Sequence, residues 1–204
     1  MNDKNIAAFI LAGGEGRRVG CQNKGLLSLN SHPLVNHVIQ RIQPHVQNIL
    51  ISANNHIETY QSFGFPVYQD LPQWKGKGPL AGIVSLYSFI PAHTDYILVV
   101  PCDTPFLPAN LVSSLYHALI SNPDLLIAYA ATPKQIHPSI LLCKPCTNDY
   151  LANHLNHQHY SLKSWISAHP NIKVNFHDEH EFTNINDLDT LTRYQQGKHH
   201  AKKL

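Results

Sequence analysis

The chain has 204 residues, of which 43% are hydrophobic and only 14% charged, with a net charge of +2 when its histidines are neutral. That is enough chain for one well-buried core, and so small a net charge supplies no broad attraction to nucleic acid or anionic lipid, so any phosphate binding has to be local. No apolar run approaches the ~20 residues that span a bilayer, and Met1-Asn-Asp-Lys4 leads into a strand-like run rather than a signal peptide, so a cytoplasmic protein is expected.

The apolar run Ile6 to Leu11 reads as a buried strand that ends in Ala12-Gly13-Gly14-Glu-Gly16-Arg17-Arg18-Val-Gly20 and then Cys21-Gln-Asn23-Lys24. Glycines at this density let backbone N–H groups turn toward an anion, while Arg18 offers a planar fork and Lys24 a compact charge for phosphate oxygens. Ser31-His-Pro33 is expected to start a helix whose apolar face is Leu34, Val35, Val38, Ile39 and Ile42, and Asn48 to Ala53 reads as the next strand. A helix near 56–63, a short strand at 66–69 and a helix opened by Gly78-Pro79 follow. Tyr96-Ile-Leu-Val-Val100 is the clearest buried strand. Beyond it come a helix near 108–121, strands near 125–130 and 136–142, helices near 147–156 and 161–168, a strand near 172–177 and a last helix from 187. Strands alternating with helices predict an α/β fold, a mostly parallel sheet covered on both faces, in a single domain over 1–196 with a flexible basic tail at 197–204.

Open parallel sheets bind ligands beyond the carboxyl ends of their strands. The loop at 12–24, Ser52 to Asn55, Asp70 and Asp103 all follow strand-like runs, so they are expected at one edge. Asp103, between the prolines of Pro101-Cys-Asp-Thr-Pro105, suits Mg²⁺, which takes oxygen ligands while bridging phosphates; a turn aspartate is the alternative. Two familiar glycine motifs do not fit. Lys24 is followed by Gly25 where a P-loop needs Ser or Thr, and Gly14-Glu-Gly-Arg-Arg-Val misses the last glycine of the dinucleotide fingerprint, with no acidic residue ending the second strand.

Leu11-Ala-Gly-Gly14, Arg18 with Gly20, Lys24-Gly-Leu-Leu27, Gly78-Pro-Leu-Ala-Gly82, Pro101-Cys-Asp-Thr-Pro105, His137-Pro-Ser139 and Asn184-Ile-Asn186 occur in the order seen in the molybdenum cofactor guanylyltransferase (MobA) family. The chain resembles that family from about residue 6 to about 195. The resemblance implies a three-layer, Rossmann-like nucleotidyltransferase and transfer of GMP from GTP to the terminal phosphate of molybdenum-molybdopterin, with release of pyrophosphate. It implies catalytic roles for Arg18, Lys24 and Asp103, with Asp103 holding Mg²⁺. GTP would be bound by Leu11, Ala12, Gly13, Gly14, Lys24, Ser52, Asp70 and Asp103, and the acceptor by His137, Ser139, Asn184 and Asn186. Partner proteins that deliver molybdopterin, and chaperones of the receiving molybdoenzyme, are implied as well.

Two positions depart from the family pattern. Ser52 stands where the family can carry asparagine, with Asn54 two residues on along the same side of an extended strand, and Asn23 stands where aspartate is common. A molybdopterin cytidylyltransferase or another small nucleotidyltransferase is the nearest alternative; a nucleotide- or cofactor-binding carrier is the alternative outside the enzymes. Among the four cysteines, Cys21 is expected to be the most reactive and to be shielded by nucleotide, because it lies among basic residues, whereas Cys143-Lys-Pro-Cys146 lacks a second pair. The fifteen histidines, including His154, His157 and His159, match no closed metal-ligand spacing.

Overall fold

A computed structural model describes residues 4–13 and 23–196. The elements follow as β1 (Ile6–Leu11), β2 (Ser28–Leu29), β3 (His32–Pro33), α1 (Leu34–Ile42), β4 (Asn48–Ser52), α2 (Ile57–Gln61), β5 (Val67–Tyr68), α3 (Pro79–Tyr87) and β6 (Tyr96–Pro101). Then come α4 (Leu111–Ile120), β7 (Ile127–Ala131), β8 (Ile136–Cys143), α5 (Leu151–Asn156), α6 (Leu162–Ser167), β9 (Asn171–Asn175) and α7 (Leu188–Gln195). Among the described residues, no helix is long and apolar enough to cross a membrane.

Seven strands form one sheet in the order β5-β4-β1-β6-β8-β7-β9. The neighbours β5, β4, β1 and β6 run parallel, β8 is antiparallel to both β6 and β7, and β9 is again parallel to β7. The expected mostly parallel sheet is present, with one reversed strand. That reversal follows from the four-residue connection between Ala131 and Ile136, too short for the crossover of a dozen or more residues that a parallel pair requires.

Alternation along the strands builds the three layers. Ile6, Ala8 and Ile10 of β1 pack on one face with Val35, Val38 and Ile39 of α1 and Leu111 and Leu115 of α4. Phe9 of the same strand points the other way, with Leu80 and Ile83 of α3 and Trp165 of α6. Each fully buried large apolar side chain contributes about 1.5–3 kcal/mol relative to exposure, so both layers are held by the sheet they share.

The helix expected from Ser31 begins three residues later. His32 and Pro33 pair with Leu29 and Ser28 in a small hairpin, and Pro33 directly precedes α1. This hairpin has a purpose in the packing. Leu27, Leu29 and Leu34 form a separate buried cluster with Ile185 and Leu191, which presses the segment around Asn184 to Asn186 against the segment that follows Lys24.

Candidate active site

The sheet order reverses at β1, whose neighbours β4 and β6 lead away in opposite directions, and a crevice opens at the carboxyl ends of these strands. It is a cavity of about 680 Å³, within the ~300–1,000 Å³ typical of small-molecule sites. Its lining includes Leu11 and Gly13 from the end of β1, Ser52 from β4, and Pro101 and Asp103 from the end of β6. Lys24, Asp70, Ser139, Asn184 and Asn186 complete most of the polar lining, and Gly76, Gly78, Pro79 and Gly82 supply a wall free of bulky side chains.

On one side a cation meets a carboxylate. The Lys24 amine donates to Asn186 Oδ1 at 2.6 Å and lies 3.9 Å from Asp103 Oδ2. Asn184 Nδ2 donates to Asp103 Oδ1 at 3.2 Å, Thr104 Oγ1 donates to Asn184 Oδ1 at 3.1 Å, and the Ile185 N–H bonds the Asp103 carbonyl at 2.9 Å. Burial pushes the Asp103 carboxyl above the usual carboxylate range, and the nearby Lys24 opposes that rise. The motif Asn184-Ile-Asn186, implied by resemblance for the acceptor, therefore also orients the charged pair.

Lys24 is positioned from beneath. Asn23 caps the short turn Lys24–Leu26, its Oδ1 accepting from the Gly25 N–H at 3.2 Å and from the Tyr60 hydroxyl at 2.5 Å. Tyr60 is fully buried, and a Cβ on Gly25 would run into its hydroxyl and stand 2.9 Å from Cys102 Sγ. Gly25 is thus required by space: its φ lies outside the left-handed region.

On the other side Asp70 faces Ser52 and Asn54. Asn54 Nδ2 donates to Asp70 Oδ2 at 2.7 Å, the Asp70 N–H donates to Asn54 Oδ1 at 3.0 Å, and the Ser52 hydroxyl reaches Asp70 Oδ1 at 3.4 Å. Gly82 of α3 lies so close that a Cβ there would stand 2.6 Å from Ser52 Oγ. Gly78, with φ of +79°, makes the turn that starts α3 at Pro79.

Ala12 is buried just behind the lining, its N–H donating to the Ser52 carbonyl at 2.8 Å, which ties β1 to β4 at the floor of the site. Gly14, Arg18 and Cys21 lie outside the described residues. His137 and Ser139 of β8 separate: Ser139 lines the cavity, while His137 is buried against Phe182 with Nε2 3.1 Å from Thr132 Oγ1. Burial pulls its imidazole below the ordinary value, opposed by Glu179.

The donor set fits Mg²⁺ of the kind that uses one or two carboxylates plus substrate phosphates. Asp103 is a single carboxylate at the cavity wall, with one oxygen bonded to Asn184 and the other too far from Lys24 for a hydrogen bond, and amide and hydroxyl oxygens lie around it. Elsewhere, His154 and His159 stand with ring centroids 5.0 Å apart beside His157 and His169, yet among the described residues no three metal-binding side chains converge on one point. Tyr60 and Gly76 carried no signal in the sequence, since each acts through contacts or space made only by the fold, and Thr104 lay within the motif around Asp103 without a role of its own until its bond to Asn184 was seen.

Residues 8–172 match the family model described as a MobA-like NTP transferase domain. A protein of Haemophilus influenzae named molybdenum cofactor guanylyltransferase is 39% identical over 190 residues, covering 92% of this chain and 96% of that protein. One of the same name from Shewanella loihica is 39% identical over 182 residues, covering 89% and 91%. The crystal structure of molybdopterin-guanine dinucleotide biosynthesis protein A from Archaeoglobus fulgidus is similar with a TM-score of 0.71 at 20% identity, covering 94% of this chain and 98% of that one, a likeness of fold. With its switch-point cavity and these relatives along nearly its whole length, the chain belongs to the MobA-like NTP transferase family.

Proposed function

We propose that this chain transfers GMP from GTP to the terminal phosphate of molybdenum-molybdopterin, giving the guanine dinucleotide form of the cofactor and releasing pyrophosphate. The observation that carries the reading is the division of one cavity between a Lys24–Asp103 pair and an Asp70–Asn54–Ser52 group. The first suits the phosphates and the second a base edge that presents N–H groups. The relatives' shared name supports guanylyl transfer and the molybdenum cofactor among the reactions and ligands such a cavity accepts.

An oxygen of the acceptor phosphate attacks the α-phosphorus of GTP, the new P–O bond forms as the bond to the bridging oxygen breaks, and pyrophosphate leaves with the electron pair. The nucleophile is already anionic, so no general base is required. Catalysis then rests on alignment and on charge stabilisation by Lys24, Arg18 and the backbone amides after Leu11. Lys24 is kept in place by Asn186, and its charge beside Asp103 favours the ionised carboxylate against the opposing effect of burial. Asp103, with oxygens of the bound phosphates, would hold Mg²⁺, which supplies further neutralisation of the charge on pyrophosphate. Ser139, Asn184 and Asn186 offer neutral hydrogen-bonding groups toward a pterin, and His137 supports that end of β8 from behind. Proteins that bring molybdopterin and take the product, in the cytoplasm, complete the proposal.

Pyrophosphate release by purified protein with Mg²⁺ and each of GTP, CTP, ATP and UTP, with and without loaded molybdopterin, tests the reading. Acceptor-dependent release with GTP, lost in Asp103→Ala, is expected. Preference for CTP would transfer the chain to a cytidylyl reaction, and a protein that binds nucleotide but releases nothing would be a carrier.

A further inference from the structure

The contacts around Asp70 form a clamp with more order than binding a carboxylate alone requires. Asn54 uses both ends of its amide on one residue: Nδ2 donates to Asp70 Oδ2 at 2.7 Å, and Oδ1 accepts from the Asp70 N–H at 3.0 Å. Reversing the amide would set donor against donor and acceptor against acceptor, so the two bonds fix its orientation. The Asn54 carbonyl is itself held, accepting from Gln69 Nε2 at 3.2 Å. Space for the clamp comes from Gly13, where a Cβ would stand 3.1 Å from Asn54 Nδ2.

The other carboxylate oxygen meets the Ser52 hydroxyl at 3.4 Å. Ser52 is buried, at 2% exposure, and is confined by Gly82, so it cannot follow a carboxylate that rotates. One neighbour therefore anchors each oxygen of Asp70. An ionised carboxylate has about four lone-pair positions, so the two oxygens retain acceptor capacity for a ligand in the cavity that Asp70 lines.

We infer that Asn54 is a positioning residue for base selection: by locking the plane and height of the Asp70 carboxylate, it sets both oxygens to accept two adjacent N–H groups of one base edge. Among the common bases, that edge belongs to guanine, whose ring N–H and exocyclic amine lie side by side. This inference rests on the GTP reading above. Hypoxanthine offers the ring N–H without the amine, so the clamp is worth most to GTP and less to ITP. A carboxylate free to turn would keep one hydrogen bond to either base and lose the second.

The test is equilibrium titration of the full chain, with and without Mg²⁺, by GTP, ITP and ATP, for wild type, Asn54→Ala, Asn54→Asp and Asp70→Asn, with thermal melts of each. In wild type GTP binds tighter than ITP by about tenfold or more, the scale of a hydrogen bond to a charged acceptor. The GTP-to-ITP ratio collapses toward one in Asn54→Ala. Asn54→Asp sets a second carboxylate against Asp70 and loses the ratio as well, and Asp70→Asn gives the limiting loss. A purely structural Asn54 would weaken GTP and ITP equally and leave the ratio intact; that result, or a wild type without preference for GTP over ITP, overturns the inference. Transfer to molybdopterin is read in a separate assay, so a chain that discriminates the bases but transfers nothing would refute the reaction and leave Asn54 its role.

Discussion

Gly25→Ala adds one methyl group and should disturb the site out of proportion to its size. The added Cβ would overlap the Tyr60 hydroxyl and stand 2.9 Å from Cys102 Sγ and 3.1 Å from Cys102 Cβ. Neither neighbour can swing into solvent, since Tyr60 is fully buried and Cys102 is 6% exposed. Relief must come from displacement of the turn that carries Lys24. Overpacking of this kind costs about 1–3 kcal/mol. At about 2–4 °C per kcal/mol for a chain of this size, the melting temperature should fall by roughly 2–12 °C. Misplacement of a positioning charge by an ångström costs transfer on the order of 10²-fold. Differential scanning calorimetry with pyrophosphate release measures both. In the Tyr60→Phe background the hydroxyl is gone, so the double variant should be more stable than the sum of the single losses by at least ~0.5 kcal/mol. A Gly25→Ala protein within ~0.5 kcal/mol of wild type with full transfer, or strict additivity with Tyr60→Phe, would refute the packing argument.

Three further outcomes are expected. Asp103→Asn should remove transfer by on the order of 10²-fold or more and yet raise the melting temperature of the ligand-free protein near neutrality. The folded carboxyl lies above its unfolded value, so the native state holds the proton more tightly, and wild-type stability declines as pH rises from the ordinary carboxylate range through the raised one. The variant should show a flatter profile over that window; an unchanged profile would contradict the burial argument. Gly82→Ala brings a Cβ to 2.6 Å of Ser52 Oγ and 3.3 Å of Leu11 Cδ2, so nucleotide affinity should drop about tenfold or more, the equivalent of ~1.4 kcal/mol, with part of it recovered in a Ser52→Gly background; calorimetric titration decides. With a thiol reagent, Cys146 is exposed and should label quickly, whereas Cys102 and Cys143 are buried, with burial pushing both thiols up, Cys143 to about 11. In Cys146→Ser one fast thiol, Cys21, should remain and be slowed by GTP; equal rates with and without nucleotide would contradict that.

Much of the fold was legible because its signals are local. Tyr96 to Val100 is apolar on both sides because both faces of β6 are covered, and the same holds for β1. The position of Ser52, Asp70 and Asp103 at one edge followed from their place after strands in a parallel sheet, and the cavity gathers all three. The reversed β8 was harder, since a buried strand reads the same in either direction and only its short connection to β7 distinguishes the cases. Pro33 read as a helix start because its fixed φ suits a first turn, but the pairing of His32 with Leu29 places it one residue outside. Contacts between remote segments left no pattern at all. The bond from Lys24 to Asn186 spans 162 positions, and Gly25 and Gly82 are small because of side chains that arrive from α2, β4 and the end of β6. His137 matched a motif together with Ser139, yet the two serve different surroundings, which spacing alone does not separate.

Guanylyl transfer is followed most directly at the α-phosphorus itself. Purified chain, Mg²⁺ and molybdenum-loaded molybdopterin are incubated with GTP labelled at that atom, and the products are separated. Label is expected in a pterin dinucleotide in equal amount to pyrophosphate, with GTP favoured over CTP and little product from Asp103→Ala. Label that stays in GTP, or that enters the acceptor only from CTP, would contradict it.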